Sequence, residues 1–440
     1  MSMCGLRPLR IVALAGGLIA ALPAVAQHQE WQALFDGHSF DGWTQRGGKA
    51  EYRVEDGQIV GETRPNTPNS FLCTQRTFAD FVLEYEFKID PKLNSGVQIR
   101  SNSVAGYRDG VVHGYQVEID PTERARTAGI YDESRRGWLA DLADNEAARR
   151  AFKPNDWNTV RVEALGEVIK TWLNGTPAAN LTDGLTHRGF IALQVHSSDS
   201  PQPLEVRWRN LRIQDLGDPW LTPRDGGRWL LRETADLENW QPLDKPGERV
   251  GWALHTNGAV TDAEGVRMAC YLEVAPGAGN IVTREAFGDC RLHVEFMVDE
   301  NGKQGQANGN SGVYVQSRYE VQILNSASQR PADDNCGGIY KVKAADFNMA
   351  RSAGEWQSYD IWFTAPRWDA AGKKSSSARM TVYHNGTRIH ENVEIPGSTG
   401  AGQPEQAPAG GGEARGPLML QDHGNRIRFR NVWIAPTASE

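Results

Sequence analysis

Between residues 82 and 89 apolar and polar side chains alternate, and they do so again in Tyr115-Gln-Val-Glu-Ile119 and Tyr319-Glu-Val-Gln-Ile323. Alternation at period two predicts β-strands with one buried face. Asn174-Gly175 follows Ile169-Lys-Thr-Trp-Leu173, and Asn385-Gly386 follows Met380-Thr-Val-Tyr383. Asn-Gly after such a run predicts a tight hairpin. Helical spacing is scarce, and only residues 139–152 predict a helix. The stretch 397–416 is rich in Gly, Ala, Pro and Gln and reads as a mobile loop.

The strand pattern occurs twice. Phe78-Ala-Asp-Phe-Val-Leu-Glu-Tyr-Glu-Phe87 returns as Phe287-Gly-Asp-Cys-Arg-Leu-His-Val-Glu-Phe296. Asn94-Ser-Gly-Val97 returns as Asn310-Ser-Gly-Val313, and Gly129-Ile-Tyr131 as Gly338-Ile-Tyr340. Gln194-Val-His196 returns as Gln421-Asp-His423, and Arg207-Trp-Arg-Asn-Leu211 as Arg428-Phe-Arg-Asn-Val432. The order is the same in both halves. The expected division is residues 27–216, a linker at 217–227, and residues 228–440. Many short strands per half predict an all-β fold of two tandem β-sandwiches.

Residues 1–26 read as a secretory signal peptide. Arg7 and Arg10 precede a short apolar run, and Ala24-Val25-Ala26 is a small-x-small cleavage site. The expected location is periplasmic or secreted, with no membrane insertion after cleavage. A formal charge of −8 without a basic cluster argues against nucleic acid. Cys73, Cys270, Cys290 and Cys336 remain after cleavage, and an oxidising compartment permits a bridge such as Cys270–Cys290. No dense metal-ligand spacing is present. The 14 Trp suit either sheet packing or stacking on sugar rings. Trp157, Trp172, Trp208, Trp356 and Trp433 fit the core, whereas Trp138, in a loop-like stretch, fits a stacking role.

Candidate chemistry lies on the polar strand faces. Tyr319, Val321 and Ile323 face the core, so Arg318, Glu320 and Gln322 share the opposite face. The first half places Gln116, Glu118 and Asp120 there, with Gln and Glu exchanged. Neighbouring strands add Gln98, Arg100, Gln194 and His196, or Tyr314, Gln316, Gln421, Asp422 and His423. A concave face of carboxylate, amide, imidazole, guanidinium and aromatic groups suits a glycoside. Gly96 and Gly312 suit a bend or bulge, and Asn94 and Asn310 either cap that bend or touch a ligand.

Together these landmarks resemble the 3-keto-disaccharide hydrolase domain family. The first copy carries Leu34-Phe-Asp-Gly37 with Gly42-Trp43, Asn94-Ser-Gly-Val97, Gly114-Tyr-Gln-Val-Glu118, Trp157-Asn158 and Trp172-Leu-Asn-Gly175. The second carries Arg318-Tyr-Glu-Val-Gln322, Trp356-Gln-Ser-Tyr-Asp360 and Leu420-Gln-Asp-His-Gly424, with Asp236-Leu-Glu-Asn-Trp240 in place of the opening motif. The resemblance implies a concanavalin-like jelly roll acting on glycosides oxidised to a ketone at C3. Such a ketone acidifies the C2 proton, so deprotonation, expulsion of the C1 substituent and readdition of water give net hydrolysis. That route needs a base near C2, an acid for the leaving oxygen and donors for the enolate. Glu320 and His423 are the candidates in the second copy, with Arg318, Gln322, Gln421, Asp422, Asn310 and Tyr314 as substrate contacts. Glu118 and His196 are their counterparts, with Arg100, Gln116, Gln194, Asn94 and Trp138. No cofactor is required, and a divalent metal could assist the enolate through Glu and His. Denser clustering favours the second copy as the active one. A displacement mechanism would need paired carboxylates, and each chosen strand supplies one firm Glu. The alternative from another class is a non-catalytic, lectin-like sugar binder.

Overall fold

The computed structural model describes residues 30–437 except 225, 263 and 264. The signal-peptide segment 1–26 lies outside the described residues. Each half is a sandwich of antiparallel sheets, and the chain is all-β with two tandem jelly-roll domains. In the first domain, one sheet is built around the strands Asp80–Ile89, Asn158–Leu165 and Glu205–Gly217. The facing sheet runs in the order Gly137–Ala140, Ile130–Glu133, His113–Ile119, Ser95–Asn102, Phe190–Val195, Ser70–Thr74 and Trp43–Gly47. Val97, Ile99, Tyr115, Val117 and Ile119 point inward and pack on Leu83, Tyr85 and Phe87. The second domain repeats this with Cys290–Val298, Gln357–Thr364 and Ile427–Pro436 facing the order Trp240–Pro242, Ile281–Phe287, Gly416–Leu420, Ser311–Val315 and Tyr319–Ile323.

The altered opening motif keeps its structural job. The Trp43 indole donates to the Leu34 carbonyl at 3.0 Å, and the Trp240 indole donates to the Leu230 carbonyl at 2.8 Å. Both Asn-Gly turns join hairpins, at 168–182 and 378–395. Trp208 and Trp433 are core residues, whereas Trp157, Trp172 and Trp356 are half-buried. Trp157 and Trp356 each carry a guanidinium, Arg209 or Arg430, at 3.9 Å.

Three expectations are corrected. The helix at 139–152 reduces to Glu146–Arg149, because Gly137–Ala140 pairs as a strand. The bridge between Cys270 and Cys290 is not formed, and all four cysteines are buried without disulfides. The stretch 397–416 is no loose excursion, since Thr399 and Gln403 donate backbone hydrogen bonds to the carbonyls of Arg318 and Ser317.

The two domains meet at a hydrogen-bonded seam. Backbone N–H groups of His187 and Arg388 donate across it to Gly386 and Leu185 at 2.7 and 2.8 Å. Trp220, from the connecting segment, packs on His187 and Trp362 and lies beneath Arg291 at 3.8 Å.

Candidate functional sites

Both candidate sites lie on the outer face of the shorter-stranded sheet, at matching positions. In the first domain, Gln98 stands opposite Gln116, and Gly96 opposite Glu118. In the second, Tyr314 stands opposite Glu320, and Gly312 opposite Gln322. The two glycines are therefore not bends. A Cβ on Gly96 would meet the Gln116 side chain at 2.5 Å, and one on Gly312 would meet Glu320 Oε1 at 2.4 Å. A bare backbone is what lets these side chains lie across the sheet.

The second-domain cavity has a volume of about 190 Å³ and gathers Glu320, His423, Tyr314, Tyr340, Gln322, Gln421 and Asn310. Glu320 is 2 % exposed. No Lys or Arg lines the cavity. Burial lifts the Glu320 carboxyl to about 7, against a smaller downward pull from the Tyr314 hydroxyl bonded to it. Burial and the adjacent Glu320 push Tyr314 up as well, so it stays a neutral donor. Gln421 Nε2 also reaches the Tyr314 hydroxyl, at 3.2 Å. Gln306, which the sequence reading missed, accepts from Asn310 Nδ2 at 2.9 Å and from Gln322 Nε2 at 3.1 Å. The buried side-chain oxygens Oε1 of Gln322 and Gln421 have no hydrogen-bond partner among the described residues. Such orphans favour a hydroxyl-rich ligand.

A cover closes this cavity. Thr399 Oγ1 accepts from the Glu320 N–H at 2.7 Å, and Gly400 and Ala401 line the wall. Gly400 has φ +52°, and a Cβ there would lie 2.5 Å from Glu320 Oε2. Glycine is thus required twice, by conformation and by contact.

The first-domain cavity is wider, about 410 Å³, and gathers Glu118, Glu133, His196, Asn94, Gln116, Trp138 and Tyr131. A relay of amides ends on Glu118. Gln98 Nε2 donates to Gln116 Oε1 at 2.6 Å, and Gln116 Nε2 donates to Glu118 Oε2 at 2.8 Å. Asn94 Nδ2 fills the other carboxylate oxygen at 2.6 Å. Burial raises the Glu118 pKa despite these donors. Glu133 went unnoticed in the sequence because its strand, Ile130–Glu133, is short and unrepeated in the second domain. It is also raised, chiefly by burial. His196 Nδ1 sits 2.8 Å from the Ser197 carbonyl, which can only accept. The proton is therefore on Nδ1, and Nε2 is left as the basic nitrogen. Trp138 meets Tyr131 edge-on at 5.2 Å and bears Arg126 at 4.6 Å.

Four expected site residues turn elsewhere. Arg100 has φ +47° at a bulge, which swings its side chain inward. It is 1 % exposed and binds the carbonyls of Ala79 and Gly166 and the Asp80 carboxylate. Arg318 lies just past the positive-φ pair Gln316 and Ser317 and reaches the carbonyls of Pro404 and Arg415. Asp422 accepts from the N–H groups of Gly277 and Gly279 and so pins a turn. Gln194 is wholly buried, with neither amide atom partnered among the described residues, and does not line the cavity. Asp422 and Arg318 therefore no longer mark the second copy as the denser cluster. Among the described residues no three His, Cys, Asp or Glu side chains gather as a metal-ligand set. Glu118, Glu133 and His196 are the side chains of metal-binding type that share one cavity.

Residues 30–214 and 230–435 each match the family described as the 3-keto-alpha-glucoside-1,2-lyase-like domain. No curated protein matches the chain. A Parabacteroides distasonis protein provisionally described as a glycosyl hydrolase is similar at 30 % identity, with 48 % of this chain and 84 % of that one covered and a TM-score of 0.41. A second structure from that organism, described in the same way, has 19 % identity, coverage of 42 % and 94 %, and a TM-score of 0.32. A carbohydrate-binding module from Bacillus subtilis has 15 % identity, coverage of 39 % and 95 %, and a TM-score of 0.28. With both halves matched, the chain belongs to the 3-keto-alpha-glucoside-1,2-lyase-like domain family, a carbohydrate-active family, and holds two copies of its domain.

Proposed function

We propose that the second domain cleaves 3-keto-glycosides by removing the C2 proton, expelling the C1 substituent and readmitting water. The observation that carries this reading is Glu320, a buried carboxyl with no cationic neighbour in its cavity and a pKa of about 7. A base works best when its pKa lies near the working pH, and this one is matched to neutral solution. Glu320 takes the C2 proton. Gln421 Nε2, which spends one N–H on the Tyr314 hydroxyl, turns its other to the ketone oxygen as that oxygen gains charge. His423, on the open side, protonates the departing oxygen. Water then enters and adds to C1, passing its proton to His423, and Glu320, whose carboxyl proton has exchanged with the entering water, protonates C2. Thr399 and Gly400 keep bulk water from the base. Export to the periplasm or beyond, as the sequence of residues 1–26 suggests, would place this activity where glycosides arrive from outside.

The test compares the wild-type chain with Glu320→Gln on 3-keto-glucosides. The proposal expects sugar release by the wild type and none by the variant. Binding without release by the wild type would favour the lectin-like alternative. Undiminished release by Glu320→Gln would remove Glu320 from the mechanism.

A further inference from the structure

We propose that the first-domain cavity is a second, chemically distinct catalytic centre, which hydrolyses glycosides whose C3 hydroxyl is intact. Glu133 gives its proton to the glycosidic oxygen, and Glu118 activates the attacking water. This function does not depend on the chemistry at Glu320.

Two carboxyl groups facing one sugar site are the usual apparatus of glycoside hydrolysis. Glu118 and Glu133 line the same cavity, whereas the second domain has Glu320 alone. Strand geometry places them there. Tyr131 pairs with Gln116, and Glu133 lies two residues further along on the same face. The Glu133 equivalent in the second domain is Val342, so the pair belongs to the first domain only.

The environments assign different roles. Both Glu118 oxygens receive donated hydrogen bonds at 2.6 and 2.8 Å, which favour its ionised form. Glu133 receives only the Ser134 hydroxyl at 3.3 Å and the Asn69 amide at 3.5 Å. Burial with these weaker hydrogen bonds leaves Glu133 the one that keeps its proton. A neutral acid beside an ionised carboxylate is the state that hydrolysis requires. Trp138 and Tyr131 form the aromatic wall against which a sugar ring rests.

The step balances without a co-reactant. The C1–O bond breaks as the leaving oxygen takes the bonding electrons and the Glu133 proton. Water attacks C1 and loses its proton to Glu118, which releases it to solvent as Glu133 is reprotonated. Positive charge develops at C1, and a C3 ketone would withdraw electrons from that carbon. The substrate of this cavity is accordingly the unoxidised glycoside, the opposite preference to that of the second domain.

The full chain is assayed against a panel of 4-nitrophenyl α- and β-glycosides, following 4-nitrophenolate. Wild type and Glu394→Gln, an exposed control, release it at equal rates. Glu118→Gln loses about 100-fold or more on this panel, whereas Glu133→Gln loses as much on the methyl glycosides of the same sugars, followed by sugar release, and little on the 4-nitrophenyl ones, whose phenolate leaves unaided. Azide restores turnover to Glu118→Gly and yields a glycosyl azide, which loss of a merely structural glutamate would not produce. No release above the enzyme-free rate from any member of the panel overturns the proposal. So does undiminished activity in Glu118→Gln, or in Glu133→Gln on the methyl glycosides.

Discussion

The two cavities occupy matching places on matching sheets, yet their carboxyls differ in number, position and cover. In the first domain the carboxylate is at 118, fed by Gln116, and in the second it is at 320, the position matching Gln116. Moving Glu by two residues shifts it about 7 Å along the strand. The residue opposite the carboxylate changes with it, from Gly96 to Tyr314, whose hydroxyl bonds Glu320. An amide relay holds Glu118 as an acceptor, while a single phenol leaves Glu320 near neutrality. A repeat on one scaffold has thus been given two electrostatic settings by exchanging a few outward side chains.

The sharpest way to break this comparison is Glu320→Gln. Its kcat/KM on a 3-keto-glucoside should fall about 1000-fold, while Glu118→Gln stays within about threefold of wild type. Equal losses would make the two sites chemically alike. Next is pH. A base must be ionised, so kcat/KM should fall about tenfold per unit below pH 7 and level off above it. At pH 5 the loss is about 100-fold relative to pH 8, and Glu320→Gln should abolish the dependence. His423→Asn should cost about 30-fold on substrates with poor leaving groups and little on aryl glycosides, whose phenolate leaves unaided. Gly400→Ala should cost about tenfold in kcat, because the new methyl meets Glu320 in this cavity and nothing in the other.

The smallest expected effect concerns stability. The folded pKa of Glu320 lies above its ordinary value of 4.5, so the folded state binds the proton more tightly. Its stabilising contribution is present below about pH 4.5 and is lost as pH rises through about 7. Glu320→Gln should therefore be more stable than wild type at pH 8, by on the order of 3 kcal/mol, and equal to it at pH 4. Thermal melts at the two pH values read this directly.

Much of the fold was legible because strand alternation and repetition are local signals. Tyr319, Val321 and Ile323 do face the core, and Glu320 and Gln322 do share the outer face. The errors fall where alternation is interrupted. A bulge after Ile99 turns Arg100 inward, and the left-handed pair before Arg318 turns that side chain away. Glu133 and Gln306 were missed because neither belongs to a repeated strand. The cover over Glu320 was hidden for a different reason. A Gly- and Pro-rich stretch carries no periodicity, and its order comes from distant carbonyls at Ser317 and Arg318.

The central claim is that Glu320 exchanges the C2 proton of an oxidised sugar. Wild-type chain and Glu320→Gln should be incubated with a 3-keto-glucoside in deuterium oxide, beside an enzyme-free control, and the sugar examined by NMR. The account predicts deuterium at C2 of the sugar released by the wild type, and no exchange above the control in the variant. Release of sugar that retains its C2 proton would contradict it.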